Sequence, residues 1–140
     1  MVKFLPITKN HTDILSLFLE TAGSSKTTFR YYEKRKIEDV LENHLLTVLL
    51  LVNEIPVAYG HLDRDGNNVW LGICVKENEL GKGYGKLMMK KLISSYSGDI
   101  VLSVDRSNDT AISLYLMFGF LVYDSTDKVF YMRRTHDSHL

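Results

Sequence analysis

Between Val69 and Val104 the chain passes through an apolar run, a glycine-rich turn, an amphipathic stretch and a second apolar run, and no other feature constrains the fold as strongly. Val69–Val75 and Ile100–Val104 have the length and aliphatic content of buried strands. Between them, from about Tyr84 to Tyr96, Leu87, Met88, Leu92, Ile93 and Tyr96 share one helical face, while Lys86, Lys90 and Lys91 fall mostly elsewhere. Gly98-Asp99 ends that helix. Two neighbouring strands joined by a helical crossover run parallel, so this segment predicts one parallel pair.

The remaining strands are predicted to be antiparallel. Leu45–Val52 is almost continuously apolar, as a strand covered on both faces is. Asn53-Glu54 turns the chain into Pro56–Leu62, and Asp65-Gly66-Asn67-Asn68 is a hairpin signal before Val69. Upstream, Val2–Ile7 reads as a short strand. Thr12 caps a helix with Ile14, Leu17 and Phe18 on its inner face and Gly23 as its stop. A polar loop, Ser24–Thr28, precedes a second helix from about Glu33 to His44, with Ile37, Val40, Leu41 and His44 in one stripe. Downstream, Asn108 or Asp109 opens a short helix that turns Ala111, Leu114, Tyr115 and Phe118 inward and closes at Gly119; Val122–Asp124 and Lys128–Arg133 form a final hairpin. No repeat or linker divides residues 1–140, so the expectation is one α+β domain. Its sheet is twisted, mixed and mostly antiparallel, with about four flanking helices.

Charge narrows the function. Seventeen Lys and Arg offset seventeen Asp and Glu, so the formal net charge is +0. A nucleic-acid partner is not expected, because phosphate neutralisation calls for a basic excess, and any anion site must be local. Cys74 is the one cysteine, which excludes a disulfide framework and a cysteine-rich zinc site. His11, His44, His136 and His139 have no metal-ligand spacing, so no metal is proposed. The opening MVKFLPITKN lacks a signal-peptide pattern, and Leu45–Val52 falls far short of the roughly 20 residues that span a bilayer. A cytoplasmic protein without a membrane partner, monomeric or homodimeric, is the expectation.

The turn itself, Leu80-Gly81-Lys82-Gly83-Tyr84-Gly85-Lys86, leads into a helix whose first N–H groups lack helical partners. Glycines let the main chain approach a ligand closely, and the helix dipole favours an anion there, with phosphate or pyrophosphate the natural guest. Two phosphate loops are excluded by spacing. Gly-x-x-x-x-Gly-Lys-Ser/Thr fails at Leu80 and Leu87, and Gly-x-Gly-x-x-Gly fails at Lys86 or Met88. A turn that merely joins strand to helix is the alternative.

Residues Leu80–Gly85 resemble the acyl-CoA signature of the GNAT superfamily of N-acetyltransferases, Gln/Arg-x-x-Gly-x-Gly/Ala, with Gly83 and Gly85 in place and Leu80 where the family usually has Gln or Arg. A second stretch, Val104–Phe120, is similar to that family's Val-x-x-x-Asn-x-x-Ala-x-x-Leu-Tyr-x-x-x-Gly-Phe region, through Asn108, Ala111, Leu114, Tyr115, Gly119 and Phe120. The resemblance implies acetyl-CoA as cosubstrate, lying where the parallel strands splay apart. It implies binding by Gly81, Lys82, Gly83, Tyr84, Gly85 and Lys86, a main-chain donor to the thioester carbonyl among Ile73, Cys74 and Val75, and contact of Asn108 with the CoA arm. Tyr115 then protonates the departing thiolate. Cys74 is expected to be an inert core thiol.

The implied reaction is direct attack by a primary amine of a small molecule, such as a nucleotide-linked amino sugar. A peptide N-terminus or a polyamine is the alternative acceptor, and a non-catalytic acyl-CoA sensor the alternative function. The acidic residue usual near the start of the family's fourth strand is missing from Val69-Trp70-Leu71-Gly72. His61, on the preceding strand and titrating near neutrality, is the substitute base, with Asp63 and Asp105 as alternatives. The acceptor is expected against Ser24–Arg35, where Phe29 or Tyr31 would stack on a ring and Arg30 would pair with phosphate.

Overall fold

The continuous apolar run becomes the centre of the sheet. In the computed structural model, which describes residues 1–27 and 29–135, it is strand β2 (His44–Val52). Its alternate side chains enter two separate cores: Val48 and Leu50 on one face, Leu49 and Leu51 on the other. Burial on both faces removes the polar alternation of a half-exposed strand.

Among the described residues the sheet has seven strands: β1 (Val2–Pro6), β2, β3 (Ile55–Asp65), β4 (Asn68–Val75), β5 (Ile100–Asp105), β6 (Leu121–Ser125) and β7 (Val129–Arg134). Their spatial order is β1-β2-β3-β4-β5-β7-β6. The β2–β3 turn places Asn53 and Glu54 at φ 51° and 69°, the pair of positive values that a tight two-residue hairpin needs. All pairings are antiparallel except β4–β5, which is parallel.

Four α-helices flank this sheet among the described residues: α1 (Thr12–Thr21), α2 (Ile37–Val40), α3 (Tyr84–Ser94) and α4 (Asp109–Met117). The crossover helix α3 drives Met88, Met89 and Leu92 into the first core, together with Leu62, Leu71, Leu102 and Phe120. On the opposite face Leu15 and Phe18 of α1 meet Leu49, Tyr59 and Cys74.

Several sequence expectations give way, among them the Thr12 cap: the N-cap of α1 is His11, no side chain caps the helix, and Thr12 is already its first residue. The helix expected over Glu33–His44 shrinks to the single turn α2 and a 3-10 turn at Leu41–Asn43, and His44 already belongs to β2. Phe29, Tyr31 and Tyr32 are drawn onto the sheet by ring packing and side-chain hydrogen bonds, which holds the chain before α2 out of helical form. In α1 the buried residues are Leu15 and Phe18, joined by Ala22 just past the helix end, and Leu17 faces solvent. In α3 Met89 is buried where Leu87 was expected. The polar loop after α1 also winds into a 3-10 turn over Gly23–Thr27. Thr28, part of the expected acceptor segment, lies outside the described residues, as do His136 and His139.

Candidate active site

Strands β4 and β5 share a single paired position, Trp70 with Val101, and then part. The gap widens into a cleft of about 1200 Å³. Its floor is Leu71–Val75 of β4 and Ser103–Asp105 of β5, and it reaches from the glycine-rich turn at one end to Phe29–Tyr31 at the other.

At the turn end, Gly81 and Gly83 sit at φ 81° and 87°, a region that L side chains rarely adopt. A Cβ added at either would meet nothing within 4 Å, so bare main chain faces open space. The first rung of α3 runs from the Leu87 N–H to the Gly83 carbonyl at 3.2 Å, which leaves the N–H groups of Gly85 and Lys86 ahead of the ladder. No side chain caps this helix. Leu80, Gly81, Gly83, Tyr84, Gly85 and Lys86 all line the cleft. The Lys82 ammonium instead pairs with Glu79 at 2.8 Å. This bare, dipole-backed main chain fits the diphosphate of a CoA thioester.

Midway along, α4 presents Tyr115. The Asn108 carboxamide accepts from the Ala111 N–H at 3.3 Å and caps the helix, and both Asn108 and Tyr115 line the cleft. The Tyr115 ring is buried against Phe120, with centroids 6.0 Å apart. Burial, with a smaller contribution from Cys74, pushes its phenol well above 10, so it holds its proton at neutral pH. Burial likewise raises the Cys74 thiol to about 12, which removes the thiolate a nucleophile would need. Ile73, Cys74 and Val75, part of the cleft floor, lie on the stretch of β4 beyond its one pairing with β5.

The far end is built from rings. Tyr31 packs on His61 with centroids 4.3 Å apart, and the Arg35 guanidinium lies 4.3 Å over the Tyr31 ring. The Tyr31 hydroxyl donates to Asp63 at 2.8 Å and lies 2.7 Å from His44 Nε2, while His44 Nδ1 lies 2.6 Å from the Thr47 hydroxyl. Beside this runs a second chain, with Tyr32 and Tyr59 hydroxyls 2.6 Å apart and Tyr59 2.7 Å from His61 Nδ1. Burial, helped by nearby His44 and Arg35, holds His61 well below the usual histidine range, so its ring is neutral at pH 7. Gly72 makes room for that ring: a Cβ on Gly72 would collide with Cε1 and Nε2 of His61.

Arg30 and Asp105 form a two-pronged ion pair at 2.8 and 2.7 Å. The guanidinium expected to meet a substrate phosphate is therefore bound to a carboxylate of the chain itself. That pairing also holds Asp105 below its ordinary pKa, which makes it a weaker base than an unpaired carboxylate. Asp63 accepts from Tyr31, so both alternative bases are engaged.

Phe29, Arg30, Tyr31, His61, Ile73–Val75, Asn108 and Tyr115 thus meet in one cleft with the turn; only the Lys82 side chain points elsewhere. Sequence reasoning missed Tyr59, Tyr32 and His44. Tyr59, His61 and Asp63 sit two residues apart on one face of β3, and such a polar line on an apolar strand was the available signal.

The sequence matches the family model for the acetyltransferase (GNAT) family over residues 11–120. No curated protein gives a significant match. Among solved structures, the ribosomal-protein-S18-alanine N-acetyltransferase of Escherichia coli superposes with TM-score 0.76 at 19% identity, over 96% of this chain and 94% of the other. PaiA N-acetyltransferase from Thermoplasma acidophilum, in complex with coenzyme A, gives TM-score 0.76 at 17% identity over 96% and 99%. YncA from Salmonella typhimurium, with its cofactor acetyl-CoA, gives 0.70 at 15% over 99% and 95%. At these identities the likeness is one of fold.

Proposed function

The chain belongs to the acetyltransferase (GNAT) family, with acetyl-CoA as its cosubstrate, and from that premise we propose that it acetylates the primary amine of a small molecule by direct attack in a ternary complex. One observation carries the reading: the bare turn, the buried phenol and the ring-lined end open onto the same cleft. Donor and acceptor sites that share a cavity let proximity and orientation supply much of the acceleration, with no covalent intermediate on the protein.

Each residue then has a task. The main chain of Gly81, Gly83 and Gly85 binds the diphosphate, and Asn108 fixes α4 beside the CoA arm. The Ile73–Val75 stretch offers N–H groups to the thioester oxygen, where negative charge grows during attack. Tyr115, protonated at neutral pH, gives its proton to the departing thiolate. His61 takes the proton of the amine.

For the acceptor, Phe29, Tyr31, Trp70 and Tyr131 supply aromatic faces and Asp63 and Asp65 supply carboxylates around one end of the cleft. This suits a hydroxylated ring bearing an amine, such as an amino sugar. A nucleotide-linked sugar would have to draw Arg30 away from Asp105 to reach a cation there.

A thiol-release assay with acetyl-CoA over amino sugars, nucleotide-linked amino sugars, polyamines and short peptides tests the proposal. Release with at least one small amine, above the background hydrolysis rate, is the expected result. Acetyl-CoA binding by calorimetry without release on any amine would make the protein a sensor; absence of binding at millimolar ligand would end both readings.

A further inference from the structure

We propose that the acceptor amine loses its proton through a relay, in which His61 Nε2 receives it and the hydroxyls of Tyr59 and Tyr32 carry a proton outward. The inference rests on the acetyl-transfer reading and adds the route to it. The chain is continuous: His61 Nδ1 to Tyr59 Oη is 2.7 Å and Tyr59 Oη to Tyr32 Oη is 2.6 Å. It starts in the cleft, where His61 lies with its Nε2 edge over Gly72 of β4. It runs through Tyr59, which is fully buried, and ends at Tyr32, which is half-buried and precedes the exposed Glu33.

A lone buried imidazole is a poor resting place for a proton. The groups around this one do not remedy that. Arg35 and His44 disfavour a cation, Tyr31 offers its ring face, and the Asp63 carboxylate is taken by the Tyr31 hydroxyl. A relay avoids the imidazolium. At the start Nδ1–H donates to Tyr59, Tyr59 donates to Tyr32, and the Tyr32 hydroxyl donates outward. The ammonium hands a proton to Nε2, the Nδ1 proton passes to Tyr59, the Tyr59 proton to Tyr32, and the Tyr32 proton to water. One proton enters and one leaves, and every relay group is neutral before and after. Once product has left, Nε2 gives its proton to water in the open cleft and Nδ1 takes one back from water through Tyr32 and Tyr59, which resets the chain. Both distances suit hydrogen bonds of either polarity. The neighbouring chain through Thr47, His44 and Tyr31 stops at the Asp63 carboxylate and serves to hold the Tyr31 ring in place.

Tyr59 and Tyr32 act through His61, so they are positioning residues, and the test needs readouts that simple loosening would not move. Tyr59→Phe and Tyr32→Phe keep the rings and cut the chain. With an amine that the wild type acetylates, Tyr59→Phe should lower kcat about 10–100-fold, with acetyl-CoA KM within about twofold. Its kcat/KM should rise with pH up to the pKa of the free amine, where wild type levels off earlier. Tyr32→Phe should act in the same direction and less. In the substrate-free protein, the 15N resonance of His61 Nδ1 should shift in Tyr59→Phe. A wild-type pH profile in both variants would overturn the relay and leave acetyl transfer standing, and an unmoved Nδ1 resonance would overturn it whatever the rates. Wild-type protein that acetylates no amine would remove the acetyl-transfer reading and the relay together.

Discussion

Tyr115 and Cys74 both line the cleft and both are buried, and burial acts on their protons in the same way. Both are pushed up, the phenol from near 10 and the thiol to about 12, so each keeps its proton at pH 7. A protonated phenol is what a departing thiolate needs, whereas a protonated thiol is a poor nucleophile. Tyr115→Phe should therefore cut kcat about tenfold or more while the acetyl-CoA Kd from calorimetry stays within about twofold; an unchanged kcat would strip the phenol of the acid role. Cys74→Ala should retain turnover within a few-fold. His61 and His44 carry a second consequence of burial, because both are held below their ordinary pKa. The unfolded chain binds those two protons more readily than the folded one. Stability is therefore fully present above about pH 6.5 and falls as the pH drops from there towards the depressed folded values. Thermal melts from pH 7.5 to 5 should show Tm declining with acid, and a flat profile would mean that these imidazoles are solvated.

At the scale of elements, α3 and α4 owe their positions to their first residues. Gly83 enters α3 with φ 87°, a geometry that costs an L side chain about 1–2 kcal/mol before any ligand is considered. Gly83→Val should weaken acetyl-CoA binding at least tenfold by calorimetry while the far-UV spectrum is kept; wild-type affinity would show that the turn does not hold the diphosphate. Asn108→Ala removes the cap of α4, worth about 1 kcal/mol. These two helices were legible in the sequence because they are periodic and bounded by local signals, glycine before one and asparagine before the other. The parallel pair was legible for the same reason, since a helix between two apolar runs leaves no other simple path. The segment after α1 was not. Whether Glu33–His44 continues as helix depends on partners far away in sequence, Tyr31 finding Asp63 and Tyr32 finding Tyr59, and no local pattern encodes those meetings. The exchange of Leu17 for Leu15 in α1 has a similar origin: both choices are amphipathic, and packing against Tyr59 and Cys74 selects one. The site was read the same way, its glycines and Tyr115 from local motifs, its hydroxyl–imidazole chains only from the folded sheet.

Across the whole molecule the cleft depends on a sheet that comes apart at β4 and β5, and one ion pair ties the loop after α1 to the end of β5. Arg30 and Asp105 are 75 residues apart in sequence and grip each other with two hydrogen bonds. The arginine is nearly half-exposed, so the pair is worth about 0.2–1 kcal/mol and the fold does not rest on it. Its influence is on what the acceptor end can bind. While Asp105 occupies the guanidinium, a phosphate on the acceptor competes with a carboxylate already in place. Asp105→Asn removes that competitor's charge from beside Arg30. The KM of a nucleotide-linked amino sugar should then fall several-fold, and that of the uncharged sugar should stay within about twofold. Melting should confirm that Tm has moved by no more than a few degrees. Equal changes for the two acceptors would show that Arg30 does not meet the phosphate, and that the ion pair is only a tie between β5 and the loop.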